Sequence, residues 1–175
     1  MSNGKLRFDI HDNDLAIGKL VYDRQQSRGA FNIGEDGFVV ERAGRGPELP
    51  ARDPPATQEA FSSIFSLTNA AGALLARAER ELEVYVVGRE GESYILQPSR
   101  SRLYLHLQRE GDVVNLGGVG QRKFWTSSLE MNLPDGFGAA FQVFLASLLL
   151  DRITQPSGRR PSWARPSATA GAPLA

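Results

Sequence analysis

A closed antiparallel β-barrel of about ten to twelve strands, enclosing a hydrophobic C-terminal α-helix, is the fold this sequence predicts. Three observations predict it. Short alternating runs separated by turn clusters recur along residues 5–133, and residues 137–150 are apolar on every helical face. The chain, 175 residues with 41% hydrophobic content, is one domain's worth and long enough for a sizeable core.

The strands follow in order. Residues 5–10 alternate, DND at 12–14 is a turn cluster, and 15–22 form a second run. GEDG separates 30–33 from 38–42, a compact hairpin signal. Residues 43–59 then carry Gly44, Gly46, Pro47, Pro50, Pro54 and Pro55, which no strand or helix interior tolerates, so this stretch reads as a loop, an insert or a boundary. Beyond it, 61–68 turns at NAAG into 73–80, 82–87 turns at GREGE into 93–97, and 103–108 turns at REGD into 113–117. Residues 123–133 supply one or two more strands. The stretch 69–85 has helix-forming composition, but Asn69 to Gly72 is a good turn and 81–87 alternates, which favours strands.

The helix is the last element, placed at 137–152. Its uncharged apolar run, 137–150, is 14 residues, about 21 Å at ~1.5 Å per residue, short of a bilayer span of about 20 residues. Asp135 before it and Asp151 with Arg152 after it would drag charge into lipid if the span were lengthened. A helix hydrophobic all round is buried all round, and its polar interruptions, Gln142 and Ser147, each need a partner inside. Closing a sheet removes its edges, and a barrel of more than eight strands has room for such a filler.

Charge and composition narrow the function classes. No cysteine is present, which removes thiolate metal sites and cysteine nucleophiles. MSNGKLRFDI lacks an apolar signal region, so a cytoplasmic location is expected. After Asp151 the chain holds Arg152, Arg159, Arg160 and Arg165 and no acidic residue, leaving 16 Lys plus Arg against 20 Asp plus Glu in the body. Residues 154–175 read as a disordered basic tail of Pro, Ala, Ser and Arg, with Trp163 its one large apolar group.

Several stretches resemble the tubby C-terminal-like superfamily, which includes LURP-one-related proteins and phospholipid scramblases. FSLTNAAGALLARAER at 65–80 is similar to the family's strand, turn and strand. YILQP at 94–98 is similar to a later strand, and FGAAFQVFLASLLL to the central helix; the likeness covers about residues 5–153. It implies a barrel around a central helix. It also implies a binding role, since tubby domains hold phosphoinositide headgroups through basic surface residues and scramblases are linked to calcium-dependent lipid movement. The cysteine-rich segment and calcium loop of scramblases have no counterpart here, and the basic pair of tubby domains does not align onto particular positions.

Residue chemistry points the same way. Arg100 and Arg102 in SRSR, and Arg122 with Lys123 in QRK, are the expected anion-binding residues, since Arg forks and Lys point charges serve phosphate recognition. If extended, Arg100 and Arg102 face one side of a strand. LGGVGQ, with Gly117, Gly118 and Gly120, lacks the Lys and hydroxyl of a phosphate loop and reads as a glycine bulge in a curved strand. Asp9, His11, Asp12 and Asp14 lack the glycine of a calcium loop and read as a turn between strands. His106 is expected on a solvent face, no nucleophile elbow occurs, and no carboxylate stands in an apolar setting that would raise its pKa. QRKFW, with Trp125, interleaves basic and aromatic residues, but an acidic body is not the footprint of a nucleic-acid binder.

The expectation is a non-enzymatic binding or scaffold module, without cofactor or metal. Its expected partner is an anionic phospholipid headgroup or a protein, reached by peripheral contact without a transmembrane span. The alternative is a lipid-handling or hydrolytic enzyme, marked by a buried, paired carboxylate in a cleft.

Overall fold

The computed structural model describes residues 4–12, 15–43, 63–81, 83–100, 103–121 and 129–154. Among the described residues eleven strands form one sheet in sequence order: β1 (Lys5–Asp12), β2 (Leu15–Asp23), β3 (Arg28–Ile33), β4 (Asp36–Ala43), β5 (Ser63–Asn69), β6 (Leu74–Glu81), β7 (Val84–Arg89), β8 (Glu92–Pro98), β9 (Tyr104–Arg109), β10 (Asn115–Gln121) and β11 (Leu129–Asn132). Each pairs antiparallel with the next. The sheet is a nearly closed barrel, and α1 (Ala139–Thr154) packs against its inner face.

The period-2 pattern is what closes the sheet. Phe8 and Ile10, Leu20 and Tyr22, Phe65 and Leu67, Tyr85 and Val87, Leu96, Leu105 and Leu107 point inward and are buried with the helix in one core. From Val143 to Asp151 every helical residue is buried, as a helix apolar on all faces requires. Its two polar interruptions find partners: the Ser147 hydroxyl donates to the Val143 carbonyl at 2.9 Å, and the Gln142 amide to the Phe137 carbonyl at 2.7 Å.

Turn chemistry sets the register. Glu90 and Gly91, the two residues between β7 and β8, both have positive φ, 51° and 81°, the mirror-image turn whose twist matches a hairpin. The glycines of β10 serve close approach. A Cβ on Gly118 would lie 2.1 Å from the Leu105 carbonyl oxygen and 2.7 Å from the Tyr104 ring, and the register shifts between Asn115 and Gly117. The glycine bulge expected at 117–120 is therefore present.

Two boundaries differ from expectation. Val113 and Val114 belong to the turn, at 92% and 59% exposure, and β10 starts at Asn115; β-branched composition favoured a strand there, but Gly111 turns late and Asp112 holds the Val114 amide at 3.2 Å. The helix begins at Ala139, because the Phe137 amide donates to the Pro134 carbonyl at 3.0 Å in a preceding turn, and it runs on through Asp151 and Arg152 to Thr154. Within 69–85 the described elements are strands and not helix: β6 covers Leu74–Glu81 and β7 begins at Val84. Residues 44–59, expected as loop or insert, and the tail from 155 lie outside the described residues.

Candidate functional site

Strand parity sorts every connection onto one of two rims. The β1–β2, β3–β4, β5–β6, β7–β8 and β9–β10 connections and the link from β11 to α1 share one rim; the β2–β3, β4–β5, β6–β7, β8–β9 and β10–β11 connections and the exit of α1 share the other. We call them the turn rim and the loop rim. The helix starts at the turn rim, where Phe137 and Phe141 pack with Tyr94 and the Arg89 guanidinium lies 5.0 Å from the Phe141 ring centre. It ends at the loop rim, where the Tyr85 hydroxyl donates to the Leu148 carbonyl at 3.2 Å and Arg152 bonds the Glu83 carbonyl at 3.0 Å.

At that end sits a carboxylate the sequence reading did not anticipate. Asp151 is 1% exposed. The Tyr22 hydroxyl donates to its Oδ1 at 3.2 Å, and the buried Ser27 lies near it in the β2–β3 turn. Burial pushes its pKa above the ordinary carboxylate value; the hydroxyls of Ser27 and Tyr22 and the charges of Arg42 and Arg80 pull it back only in part. The same burial, with the Asp151 charge beside them, raises the Tyr22 and Tyr85 hydroxyls far above the usual tyrosine range. This overturns the expectation that no carboxylate has an apolar setting. The readable signal was spacing: Ser147 and Asp151 lie four apart on one helical face, and Ile153 shows the helix passing beyond the charge. Asp151 is buried and paired; surface depressions at Glu92, Ser93 and Arg109 and at Asp36, Phe38 and Leu75 lie at the opposite, turn rim. The Tyr22–Asp151 bond ties the helix end to the β2–β3 corner.

The loop rim is also where the sequence places its cations. Its five connections hold Arg24, Arg45, Arg52, Arg100, Arg102, Arg122 and Lys123 against Glu48, Asp53, Glu59 and Glu83, and the chain leaving the helix adds Arg159, Arg160 and Arg165. The turn-rim connections hold Asp14, Glu35, Glu90, Glu110, Asp112 and Asp135 and no Lys or Arg.

Of the four expected anion-binding residues, Arg100 is described and Arg102, Arg122 and Lys123 lie outside the described residues. Arg100 is exposed in a bend, not in a strand, because the Ser99 amide closes on the Tyr104 carbonyl at 2.9 Å and turns the chain between β8 and β9. Arg100 thus stands outside a strand, and its pairing with Arg102 on one strand face falls outside the described residues. The two basic connections nevertheless start side by side: the Gln121 amide donates to the Leu103 carbonyl at 2.8 Å, and these residues adjoin Arg122 and Arg102 in the chain. His106 lies on the outer face of β9, half-buried against Tyr104, with its Nδ1 3.0 Å from the Asn115 amide nitrogen. Asp9 and His11 are exposed on β1. No group of three metal-ligating side chains occurs among the described residues, nor any helix long and apolar enough to cross a membrane.

The chain matches no family model, no curated protein and no solved structure.

Proposed function

We propose that this barrel is a non-catalytic binding module of the tubby-like, LURP-one-related kind, which contacts an anionic phospholipid headgroup through its loop rim. The observation that carries the reading is the segregation of charge: basic connections on one rim, acidic turns on the other, with the SRSR and QRK connections joined through the Leu103–Gln121 bond. Arg100, Arg102, Arg122 and Lys123 are the proposed contacts. The helix filling the lumen supports a surface site over an enclosed one, since Phe144, Leu145, Leu148 and Leu149 are fully buried against the strands. The contact is peripheral, at a cytoplasmic membrane face. An alternative of hydrolytic or lipid-handling catalysis draws its one support from Asp151, which is buried and raised in pKa.

Co-sedimentation of the full chain with neutral, phosphatidylserine and phosphoinositide vesicles tests the reading. Binding to anionic vesicles that falls as salt rises, and falls again when Arg100, Arg102, Arg122 and Lys123 are replaced by Glu, is the expected result. Loss only on replacing Arg159, Arg160 and Arg165 moves the contact to the tail. No binding to any vesicle overturns the lipid reading and leaves a protein partner.

A further inference from the structure

The turn rim is left unused by that reading, and it is not an ordinary acidic surface. Leu15, Leu74 and Val113 stand on it at 69%, 61% and 92% exposure, with Leu75 and Val114 beside them. Leu75 and Phe38 line a depression of about 360 Å³ together with Ala70, Ala71 and Asp36. Aliphatic side chains exposed among acidic turns fit a partner segment with a large apolar anchor and positive flanks.

The chain carries one such segment. Residues 158–165 read GRRPSWAR, a Trp between Arg160 and Arg165, in a tail without any acidic residue. Trp and Arg are the side chains that most often anchor interfaces. The tail leaves the barrel at the loop rim, the far end from the depression. From Thr154 to Trp163 is nine residues, at most about 30–32 Å of chain. The 16-residue helix marks the rim-to-rim distance, about 24 Å at ~1.5 Å per residue, and the tail must first clear the helix radius of about 5–6 Å. That path alone takes about 29–30 Å of the tail's 30–32 Å, which leaves almost nothing for crossing the strand wall and turning back onto its own turn rim. The turn rim of a second copy, stacked end on, is within reach. Zero net charge divided into a basic pole and an acidic pole removes the mutual repulsion that would oppose such stacking.

We propose that the turn rim binds the Arg–Trp tail of a second copy of this chain, head to tail, with Trp163 in the depression between Phe38 and Leu75 and Arg159, Arg160 and Arg165 against Glu35, Asp36 and their acidic neighbours. The contact is heterologous, so it propagates from copy to copy unless it closes into a ring.

The test uses the full chain carrying Trp125→Phe, in which Trp163 is the one remaining indole. Sedimentation velocity and Trp163 emission are followed against protein concentration, at low and high salt. Association and a blue shift with protection from acrylamide should rise together and reverse with salt. Arg159→Glu with Arg160→Glu, or Glu35→Lys with Asp36→Lys, should each weaken association by about tenfold or more, and mixing the two charge-swapped chains should restore it. A monomer at every concentration with solvent-exposed Trp163 overturns the proposal. So does a monomer with protected Trp163, which would mean the tail docks in its own chain, and so does association that survives the tail swap.

Discussion

The two rims belong to one sheet and are plugged by one helix, yet they are finished in opposite ways. At the turn rim the connections are short, all their charges are negative, and the helix is seated by aromatic packing: Phe141 stacks with Phe137 at 5.6 Å between ring centres and tilts against Tyr94 and Phe144. At the loop rim the helix is seated by hydrogen bonds, from Tyr22 to Asp151 and from Tyr85 to Leu148, and the connections include the 19 residues between Ala43 and Ser63. Apolar packing tolerates no insertion, whereas a hydrogen-bonded corner leaves chain free to lengthen around it. The longest connection and the basic charge lie at the hydrogen-bonded end.

The largest expected effect tests the apolar end. Phe141→Ala removes a ring that contacts three others and the Arg89 guanidinium, and should cost about 3–5 kcal/mol in denaturant unfolding. At the polar end, Tyr22→Phe keeps the ring and removes the hydroxyl bound to Asp151, an expected loss of about 1–3 kcal/mol. Equal losses at the two sites would erase the distinction between a packed end and a bonded one.

Turns supply a smaller contrast. Gly91→Ala forces a side chain into φ 81° and should cost about 1–2 kcal/mol. Arg24→Ala, in the exposed β2–β3 turn of the loop rim, should stay within about 0.5 kcal/mol. Thermal melts of both variants check the pair, and a costly Arg24→Ala would show that the loop rim is scaffold after all.

Much of this contrast was legible in residue order, and the missing part has a physical cause. NAAG, GREGE and REGD are turns because glycine at positive φ is cheap, and each ends a strand where it was expected. The helix was legible because no exposed helix is apolar on every face. Rim assignment was not legible. It depends on strand parity, and the stretch 123–133 reads equally as one strand or two; with eleven described strands, β1 and β11 run in the same direction and are not paired with each other among the described residues. Asp151 was missed for a related reason: an Asp followed by Arg looks like the end of a buried run, and only its distance to Tyr22, 129 positions earlier, shows it inside. The proposed anion contact was half legible. The basic residues announce themselves, but the Gln121–Leu103 bond that brings their connections together is a tertiary fact.

The smallest expected effect is also the one that separates the rims by sign. Burial raises the Asp151 pKa at the loop rim. At the turn rim, Glu92 accepts from the Tyr94 hydroxyl and from Arg109 at 3.0 Å, and these partners, Tyr94 foremost, hold its pKa below the ordinary value. For Asp151 the folded state binds the proton more readily than the unfolded chain. Its contribution is therefore full below the ordinary value of 3.8 and is lost as pH rises through the raised folded value. For Glu92 the contribution is present above the ordinary value of 4.5 and is lost as pH falls through the lowered one. Carboxyl NMR titrations should show the two groups displaced in opposite directions. Tyr94→Phe should move Glu92 back upward, because its main stabilising donor is gone, and Tyr22→Phe should move Asp151 further upward, because a bond to its charged form is lost while its burial remains. Both groups titrating at ordinary values would mean that the two rims do not set their carboxylates apart.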